Sequence, residues 1–403
     1  MNIILNDDQL NALQNIKKSK NILISGQAGV GKSILIQKIC EIINNYQILA
    51  PTGVAAINAG GITIHKFFSI TPAIQTIQDY TNKKIKYFSK VPWKTLEYLI
   101  IDEVSMIQPS LFYLINSICQ LHKNNLHPFG GIKLILVGDW YQLPPINKDS
   151  TLSETFIFET DLFKQMDFTN IQLTKVMRQS DEDFINQLSK IRIGDISDDS
   201  MFEFLGTLQK NIKQPKQHYI KLFAKNIGKK YANQTELDKL SGSSFTYTSK
   251  DTGNIKLLQN HLIEPIITLK VNSQVMLLWN MPEYGLCNGS IGTVTNCNTT
   301  NIIVDFNGKK IQIIPIKVEI NMRQSNGEMK VAATRTQIPI ALAYAITIHK
   351  SQGLTFDFME IFCDGIFSPG QFYTALSRSR KSDNVILHDF EMSHIMVCNI
   401  LKN

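Results

Sequence analysis

A glycine-rich loop, GQAGVGKS at residues 26–33, contains the residues whose types and spacing most clearly serve chemistry. The backbone N–H groups of such a loop point at one spot, where a following helix N-terminus also favours an anion. The Lys32 amine is long enough to reach the outer phosphates of a polyphosphate, and the Ser33 hydroxyl is a ligand for Mg²⁺. The loop therefore predicts a nucleoside-triphosphate site. Its predicted contacts are Gly26, Gln27, Ala28, Gly29, Val30, Gly31, Lys32 and Ser33.

Two carboxylates, Asp102 and Glu103, directly follow the apolar run 99–101. A magnesium–triphosphate site needs one acid to hold the metal through its waters and a second to deprotonate the attacking water. We assign the first role to Asp102 and the second to Glu103. Alone, such a pair also marks an ordinary strand end, but its position after a phosphate loop favours the catalytic interpretation.

Three further side chains are candidates for contact with the transferred phosphate. Gln142 follows the buried run 134–137 and can reach a γ-phosphate; the alternative is a polar turn capped by two prolines. Arg178 lies at the beginning and Arg378 near the end of the second domain that the sequence predicts. An arginine from a neighbouring domain neutralises the charge that spreads over the phosphate oxygens in the transition state, although an isolated arginine is more often a surface ion-pair partner.

Three polar segments, 51–56, 63–68 and 347–353, have residue types that suit nucleic acid. They combine hydroxyls and backbone N–H groups for phosphates with cations and aromatic faces on which bases stack. The alternatives are a core position for Phe67 and structural roles for the histidines. The candidates are Thr52, Gly53, His65, Phe67, His349 and Lys350.

The elements that must position these residues follow an α/β pattern. Strands alternating with helices predict parallel pairing in a sheet that is covered on both faces. The predicted strands and helices of the first third are 21–25, 34–43, 46–50, 98–102, 111–121 and 133–138.

A second α/β pattern begins near 171 and ends in the apolar run 338–346. It is interrupted by segments that predict antiparallel strands, with Asn307-Gly308 as a hairpin turn because both turn positions require φ > 0. A lysine-rich polar stretch from Ser69 to Trp93 interrupts the first pattern. It is either a solvated loop or a nucleic-acid contact.

Composition is that of an ordinary globular protein of 403 residues, with 43% hydrophobic and 19% charged residues. The net charge of +7 favours an acidic partner such as nucleic acid. The six cysteines have no short paired spacing, which argues against a disulfide framework or a zinc site and suits a reducing compartment. No stretch resembles a signal peptide or a membrane span, so we expect a soluble, intracellular protein with no membrane partner.

The order of the motifs resembles that of the petite-integration-frequency (PIF-type) DNA helicases, in the B class of helicase superfamily one. The resemblance covers nearly the whole chain, and its specific blocks are PFGGIKLILVGDWYQLPP (128–145) and AYAITIHKSQG (343–353). The other matching motifs are GQAGVGKS, APTGVAA, TIHKFF, IDEVSMI, LTKVMRQSD, LKVNSQVMLL, NGSIGTV and YTALSR. Trp140 and Met177 stand where the family usually has Phe.

The resemblance implies two RecA-like domains with ATP between them and single-stranded DNA across their tops. It also implies that Gln9 recognises adenine, that Gly353 lies near the γ-phosphate and that Pro144 contacts DNA. The insertion in the first domain resembles a strand-separating wedge, and the one in the second resembles a small β-barrel. The predicted bounds are 1–68 and 93–170 for the first domain, 69–92 for the wedge, 171–269 and 326–403 for the second domain, and 270–325 for the barrel.

The sequence thus predicts a monomeric, Mg²⁺-dependent ATP hydrolase that translocates 5′→3′ on single-stranded DNA and unwinds forked or tailed duplexes. The alternative is a DNA-stimulated translocase that remodels protein–DNA complexes without unwinding alone. A binding module without catalysis would not need the complete set of ATP-site residues, and RNA stays open as a substrate. Replication, repair and recombination are the expected settings.

Overall fold

The structure, a computed structural model, describes residues 5–70, 74, 76–82, 91, 93–145, 155–211, 219–258, 263–279, 281–286, 289–299, 301–323 and 329–402. The chain forms two compact units. The first takes in the described residues up to 211 and from 348 to 402, and the second takes in those from 219 to 347.

The first unit is built on a parallel sheet. Its strands are β1 (Asn21–Gly26), β2 (Tyr46–Ala50), β3 (Ile62–Thr63), β4 (Tyr98–Ile101), β5 (Lys133–Gly138) and β6 (Phe168–Leu173). They lie in the order β3-β2-β4-β5-β1-β6, and every pair is parallel. Because the carboxyl ends of parallel strands meet at one edge, the segments after β1, β4 and β5 come together there.

Helices connect these strands or follow them within the first unit. They are α1 (Asp7–Ile16), α2 (Lys32–Ile42), α3 (Gly53–Asn58), α4 (Ile64–Phe67), α5 (Ile77–Asn82), α6 (Pro109–Lys123), α7 (Asp161–Gln165), α8 (Glu182–Ile193) and α9 (Asp199–Lys210). The apolar sides of α1 and α2 pack against β1, β5 and β6 in one core cluster. The predicted strands 46–50 and 133–138 are confirmed with those bounds.

The predicted boundary between residues 170 and 171 falls inside β6. This strand pairs with β1 over Asn21–Gly26, so the first sheet extends past it. Buried and exposed residues alternate in the second half of β6, as expected for an edge strand. The strand therefore has no continuous apolar run, which explains why the predicted domain boundary falls too early in the sequence.

The second unit is largely antiparallel. Its elements are β7 (Ile220–Phe223), α10 (Asn226–Lys239), β8 (Phe245–Thr248), β9 (Lys250–Gly253), β10 (Ile266–Leu269), β11 (Gln274–Leu277), β12 (Ile291–Cys297), β13 (Ile302–Phe306), β14 (Lys309–Ile313), β15 (Ile316–Arg323), β16 (Met329–Gln337), β17 (Ile340–Leu342) and β18 (Ala345–Thr347). The five strands β14-β13-β12-β11-β17 form one sheet, and β15-β16-β9 and β10-β8 form two smaller ones. The antiparallel strands begin at Phe245, before the barrel bound predicted at 270, because β8 and β9 have only four residues each and β9 is polar, so neither gives a clear strand signal.

The segment from 348 onward returns to the first unit. Its elements are α11 (Ile348–Ser351), β19 (Met359–Phe362), α12 (Gln371–Leu376) and β20 (Val385–His388), with β19 and β20 paired in parallel. Most of the wedge predicted over 69–92 lies outside the described residues, apart from 69, 70, 74, 76–82 and 91. None of the helices in the described ranges is both long and apolar enough to cross a bilayer.

The hairpin predicted at Asn307-Gly308 is confirmed. Asn307 has φ +52° and Gly308 φ +89°, and the flanking strands β13 and β14 pair from Phe306↔Lys309 to Ile302↔Ile313. The left-handed conformation at both positions is what a two-residue hairpin turn requires.

Substituting two glycines tests this argument, because the two changes should alter the free energy of unfolding in opposite directions. We expect Gly308→Ala to lower the free energy of unfolding by about 1–2 kcal/mol, because an added Cβ meets open space yet φ is +89°. Gly206→Ala, in the middle of α9 and also facing open space, should raise it by about 0.5–1 kcal/mol. Denaturant-induced unfolding measures both, and destabilisation by both substitutions would contradict the explanation.

Candidate nucleotide site

The phosphate loop, the carboxylate pair and both arginines line one cavity of about 290 Å³ in the first unit. Residues predicted from distant parts of the chain thus meet at the carboxyl edge of the parallel sheet. Those that line the cavity are Ala28, Gly29, Gly31, Lys32, Ser33, Asp102, Glu103, Gln142, Arg178, Gly353 and Arg378.

The loop between β1 and α2 requires glycine at two positions. Gly29 and Gly31 have φ values of +86° and +85°, and both positions are crowded. A Cβ on Gly29 would lie 2.7 Å from the Cβ of Arg178, and one on Gly31 would lie 2.6 Å from Nε2 of Gln9. The glycines therefore let an arginine and a glutamine pack directly on the loop.

Four residues predicted to contact the nucleotide do not line the cavity. Gly26 and Gln27 instead supply carbonyls that accept hydrogen bonds from Lys32, while Val30 is buried in the core. Gln9 is buried against the loop, where its Nε2 donates to the Val30 carbonyl at 3.4 Å. Its contact with adenine stays a prediction.

The Lys32 amine lies among both carbonyls and carboxylates. Its Nζ donates to the Gly26 carbonyl at 2.8 Å and to the Gln27 carbonyl at 3.0 Å. Burial lowers the pKa of Lys32, while the charges of Asp139, Glu103 and Asp102 oppose that change. A cation that is desolvated in this way gains strongly from a bound anion.

The two carboxylates after β4 differ in their hydrogen bonds. Asp102 accepts one from the backbone N–H of Glu103 at 2.8 Å, and burial together with the charge of Glu103 raises the pKa of Asp102 to about 7. Glu103 has a left-handed backbone with φ +52°, and its Oε2 accepts a hydrogen bond from Nε2 of Gln352 at 3.0 Å. Both residues face the cavity.

The two arginines are held by carbonyls on one short segment. Arg178 donates from Nη1 to the Ser377 carbonyl at 2.9 Å, and Arg378 donates from Nε to the Thr374 carbonyl at 2.8 Å. Burial and the charge of Arg378 lower the pKa of Arg178 to about 9. Because the positive charges of these two buried arginines repel each other, a bound polyanion would stabilise both.

The donor set fits Mg²⁺ bound together with a polyphosphate. Ser33 and Asp102 offer oxygen ligands to the same cavity, which suits a hard cation that keeps several waters. In the part of the chain that the structure describes, no cluster of three or more His, Cys, Asp or Glu residues forms a complete metal site. The remaining ligands of the cation would thus come from phosphate and water.

A buried network beside the cavity was not predicted from the sequence. Asp139, 0% exposed, accepts hydrogen bonds from Arg192 at 2.8 Å and 3.0 Å and from the Tyr373 hydroxyl at 3.1 Å. The Tyr373 hydroxyl also accepts a hydrogen bond from the backbone N–H of Ala28 at 2.9 Å. Asp139 is therefore connected to the phosphate loop through one phenol.

The same network reaches Gln142, the predicted γ-phosphate contact. Its Nε2 lies 3.4 Å from Oδ2 of Asp139, while its buried Oε1 has no hydrogen-bond partner among the described residues. Asp139 and Tyr373 stand inside the motifs GDWYQLPP and YTALSR, so a signal was present. Arg192 is one charge among several on α8 and nothing in the sequence singles it out.

The predicted DNA contacts are distributed over several short segments of the first unit. Gly53, His65 and Lys350 are exposed, whereas Thr52 and His349 are half-buried and Pro144 is buried. The Thr52 hydroxyl accepts a hydrogen bond from the N–H of Ala55 at 3.2 Å and so caps α3. Contact of these residues with DNA stays a prediction.

Phe67 occupies the core in this structure. It is 7% exposed. The centroid of its ring lies 4.9 Å from that of Phe68, with the two rings edge-on, and 5.6 Å from that of Trp93, with the rings tilted. A ring enclosed in this way has no free face for a base, which favours the core alternative over the base-stacking interpretation.

The sequence is similar to family models and to proteins described as Pif1 helicases. The sequence model described as "PIF1-like helicase" matches residues 4–201, and the one described as "DNA helicase Pif1, 2B domain" matches residues 255–297. An ATP-dependent DNA helicase Pif1 of Bdellovibrio bacteriovorus is 30% identical over 408 residues, which cover 98% of this chain and 90% of the relative. An ATP-dependent DNA helicase PIF1 of Xenopus laevis is 30% identical over 398 residues, which cover 96% of this chain and 62% of the relative.

A solved structure, Pif1 helicase from Bacteroides in complex with ADP-AlF3 and ssDNA, superimposes with a TM-score of 0.82. It is 30% identical in sequence, and the match covers 99% of this chain and 95% of that chain. The predicted α/β fold class with RecA-like domains is confirmed by this likeness and by the parallel sheet. The chain spans about three fifths of the length of its vertebrate relatives, 62% for Xenopus laevis.

Asp139→Asn tests the buried network. We expect it to lower the free energy of unfolding by about 3 kcal/mol, because Arg192 then lacks its carboxylate in a largely buried position. The control is Lys190→Ala, on the same helix as Arg192, which breaks an ion pair with Asp198 at the surface and should have a much smaller effect. Equal effects of the two substitutions on denaturant-induced unfolding would contradict the assignment.

Proposed function

We propose that this chain, which belongs to the PIF1-like helicase family, hydrolyses ATP to translocate on single-stranded DNA and to unwind duplex DNA. The observation that carries the proposal is the single cavity where the phosphate loop, two carboxylates and two arginines meet. Its cations, Lys32, Arg178 and Arg378, suit a triphosphate, and its carboxylates suit Mg²⁺ and a water.

The residues divide the chemistry of hydrolysis among them. Lys32 binds the outer phosphates, and Glu103 takes a proton from the attacking water through the carboxylate oxygen that Gln352 leaves free. The unpartnered Oε1 of Gln142 is available to the same water or to the γ-phosphate region. Arg178 and Arg378 neutralise the charge that develops on the phosphate oxygens. A magnesium ion held near Ser33 and Asp102 would polarise the phosphate oxygens.

DNA is proposed as the partner on three grounds. The net charge of +7 favours a polyanion, and the exposed residues Gly53, His65 and Lys350 lie on segments that suit phosphates. In addition, the similar Bacteroides protein was crystallised with single-stranded DNA. The 5′→3′ direction, the monomeric state, an intracellular location and roles in replication, repair or recombination are further parts of the proposal, and they rest on sequence features and on resemblance to the family.

Lys32→Ala tests the hydrolytic site. We expect ATP hydrolysis in the presence of single-stranded DNA to fall by about a hundredfold or more, because a main phosphate ligand is lost. Binding of single-stranded DNA should change by less than about twofold. The control is Lys38→Ala on the same helix, whose amine pairs with Glu41 at 2.8 Å on the surface. Full turnover by Lys32→Ala would refute the assignment.

Duplexes with a single-stranded tail on either the 5′ or the 3′ side test direction and unwinding together. We expect ATP-dependent strand separation only from the 5′ tail, with DNA affinity that falls as salt rises. Unwinding from the 3′ tail alone would reverse the proposed direction. DNA-stimulated hydrolysis without strand separation would favour the alternative, a translocase that remodels protein–DNA complexes.

A further inference from the structure

Gln352, in the proposed DNA segment 347–353, is hydrogen-bonded to Glu103, the proposed general base. Its Nε2 donates to Oε2 of Glu103 at 3.0 Å, and the two residues are only 3% and 8% exposed. A carboxylate acting as a base presents one oxygen to water. A buried amide on Oε2 therefore determines which oxygen stays available and how the carboxylate is turned.

A purely structural hydrogen bond does not explain this amide well. A buried structural glutamine normally satisfies both its oxygen and its nitrogen. Here the buried Oε1 of Gln352 has no partner among the described residues, so the contact with Glu103 is the one that holds the side chain.

Gln352 lies in one of the three segments that we propose for DNA contact, and the next residue packs against the helix that carries part of another. It directly follows α11, which carries His349 and Lys350. The next residue, Gly353, has φ +80°, and a Cβ there would lie 2.9 Å from Nδ2 of Asn58, the last residue of α3. The opposite end of α3 begins with Gly53, so the backbone beside Gln352 lies against the C-terminal end of a helix whose first turn belongs to the proposed DNA segment 51–56.

The same stretch of chain also contacts the arginine. The N–H of Phe356 donates to the carbonyl of Arg378 at 3.0 Å, and the Leu354 carbonyl lies 3.5 Å from Nη1 of Arg378. Residues 352–356 thus contact Glu103, Arg378 and the last residue of α3, and they directly follow α11. A small shift of α11 or α3 moves this stretch, and a displacement of about 1 Å at a reacting group is enough to cost about a hundredfold in rate.

We propose that Gln352 is the positioning residue through which DNA on α3 and α11 orients the Glu103 carboxylate for hydrolysis. This inference rests on the proposed function, because it requires that the chain hydrolyse ATP and bind DNA. Its specific content is that the stimulation of hydrolysis by DNA depends on an amide donor at position 352.

Two substitutions test whether the amide N–H of Gln352, and not only the volume of its side chain, is required. Gln352→Met keeps the length of the side chain and removes the donor, whereas Gln352→Asn keeps the amide but is too short to reach Glu103. In saturating single-stranded DNA, we expect kcat for ATP to fall about tenfold or more in both variants, because Glu103 is no longer oriented. The KM for ATP and the Kd for an oligothymidylate should stay within about twofold of the unsubstituted protein.

The decisive measurement is the ratio of kcat with DNA to kcat without it, taken alongside circular dichroism of each variant. We expect this ratio to fall in both Gln352 variants and to stay unchanged in Gln14→Ala, a control on the exposed face of α1. An unchanged ratio, equal loss of both rates, or a loss confined to KM or Kd would overturn the inference. Absence of hydrolysis by the unsubstituted protein would instead refute the proposed function.

Discussion

The candidate nucleotide site depends on the contacts of one buried carboxylate, that of Asp139, with Arg192 and Tyr373. A carboxylate that is fully removed from water is costly unless a cation and hydrogen-bond donors surround it. Arg192 supplies the cation and Tyr373 supplies a hydroxyl, and that hydroxyl is also bonded to the backbone of Ala28 in the phosphate loop. Compensating one buried charge therefore brings β5, α8, α12 and the loop to one point.

This arrangement leaves the reacting groups little freedom. Gly29 and Gly31 allow Arg178 and Gln9 to pack against the loop, while Glu103 is constrained by a left-handed backbone and by the amide of Gln352. Such positioning matters because most of the rate enhancement in phosphoryl transfer comes from fixed charges and orientation. The candidate site is thus organised mainly by contacts around the side chains that we propose for catalysis.

Local features of the fold were predictable because they depend on neighbouring residues. The alternation of apolar residues identified β2 and β5 with their observed bounds, and Asn307-Gly308 identified a turn whose φ values are both positive. Prediction failed where the local signal was weak, as in β8 and β9, which have only four residues each. It was ambiguous for Phe67, since an aromatic side chain serves equally well in a core or against a base.

The sequence by itself determined the phosphate loop, the Asp102–Glu103 pair and the types of residue that line the candidate nucleotide site, because each is encoded within a few adjacent positions. Only the tertiary structure decided that Arg192 pairs with Asp139 and that Gln352 holds Glu103, 249 positions away along the chain. The physical reason is that a buried charge or amide takes whichever partner the packing of distant elements brings within hydrogen-bond distance. No local pattern in the chain specifies that partner.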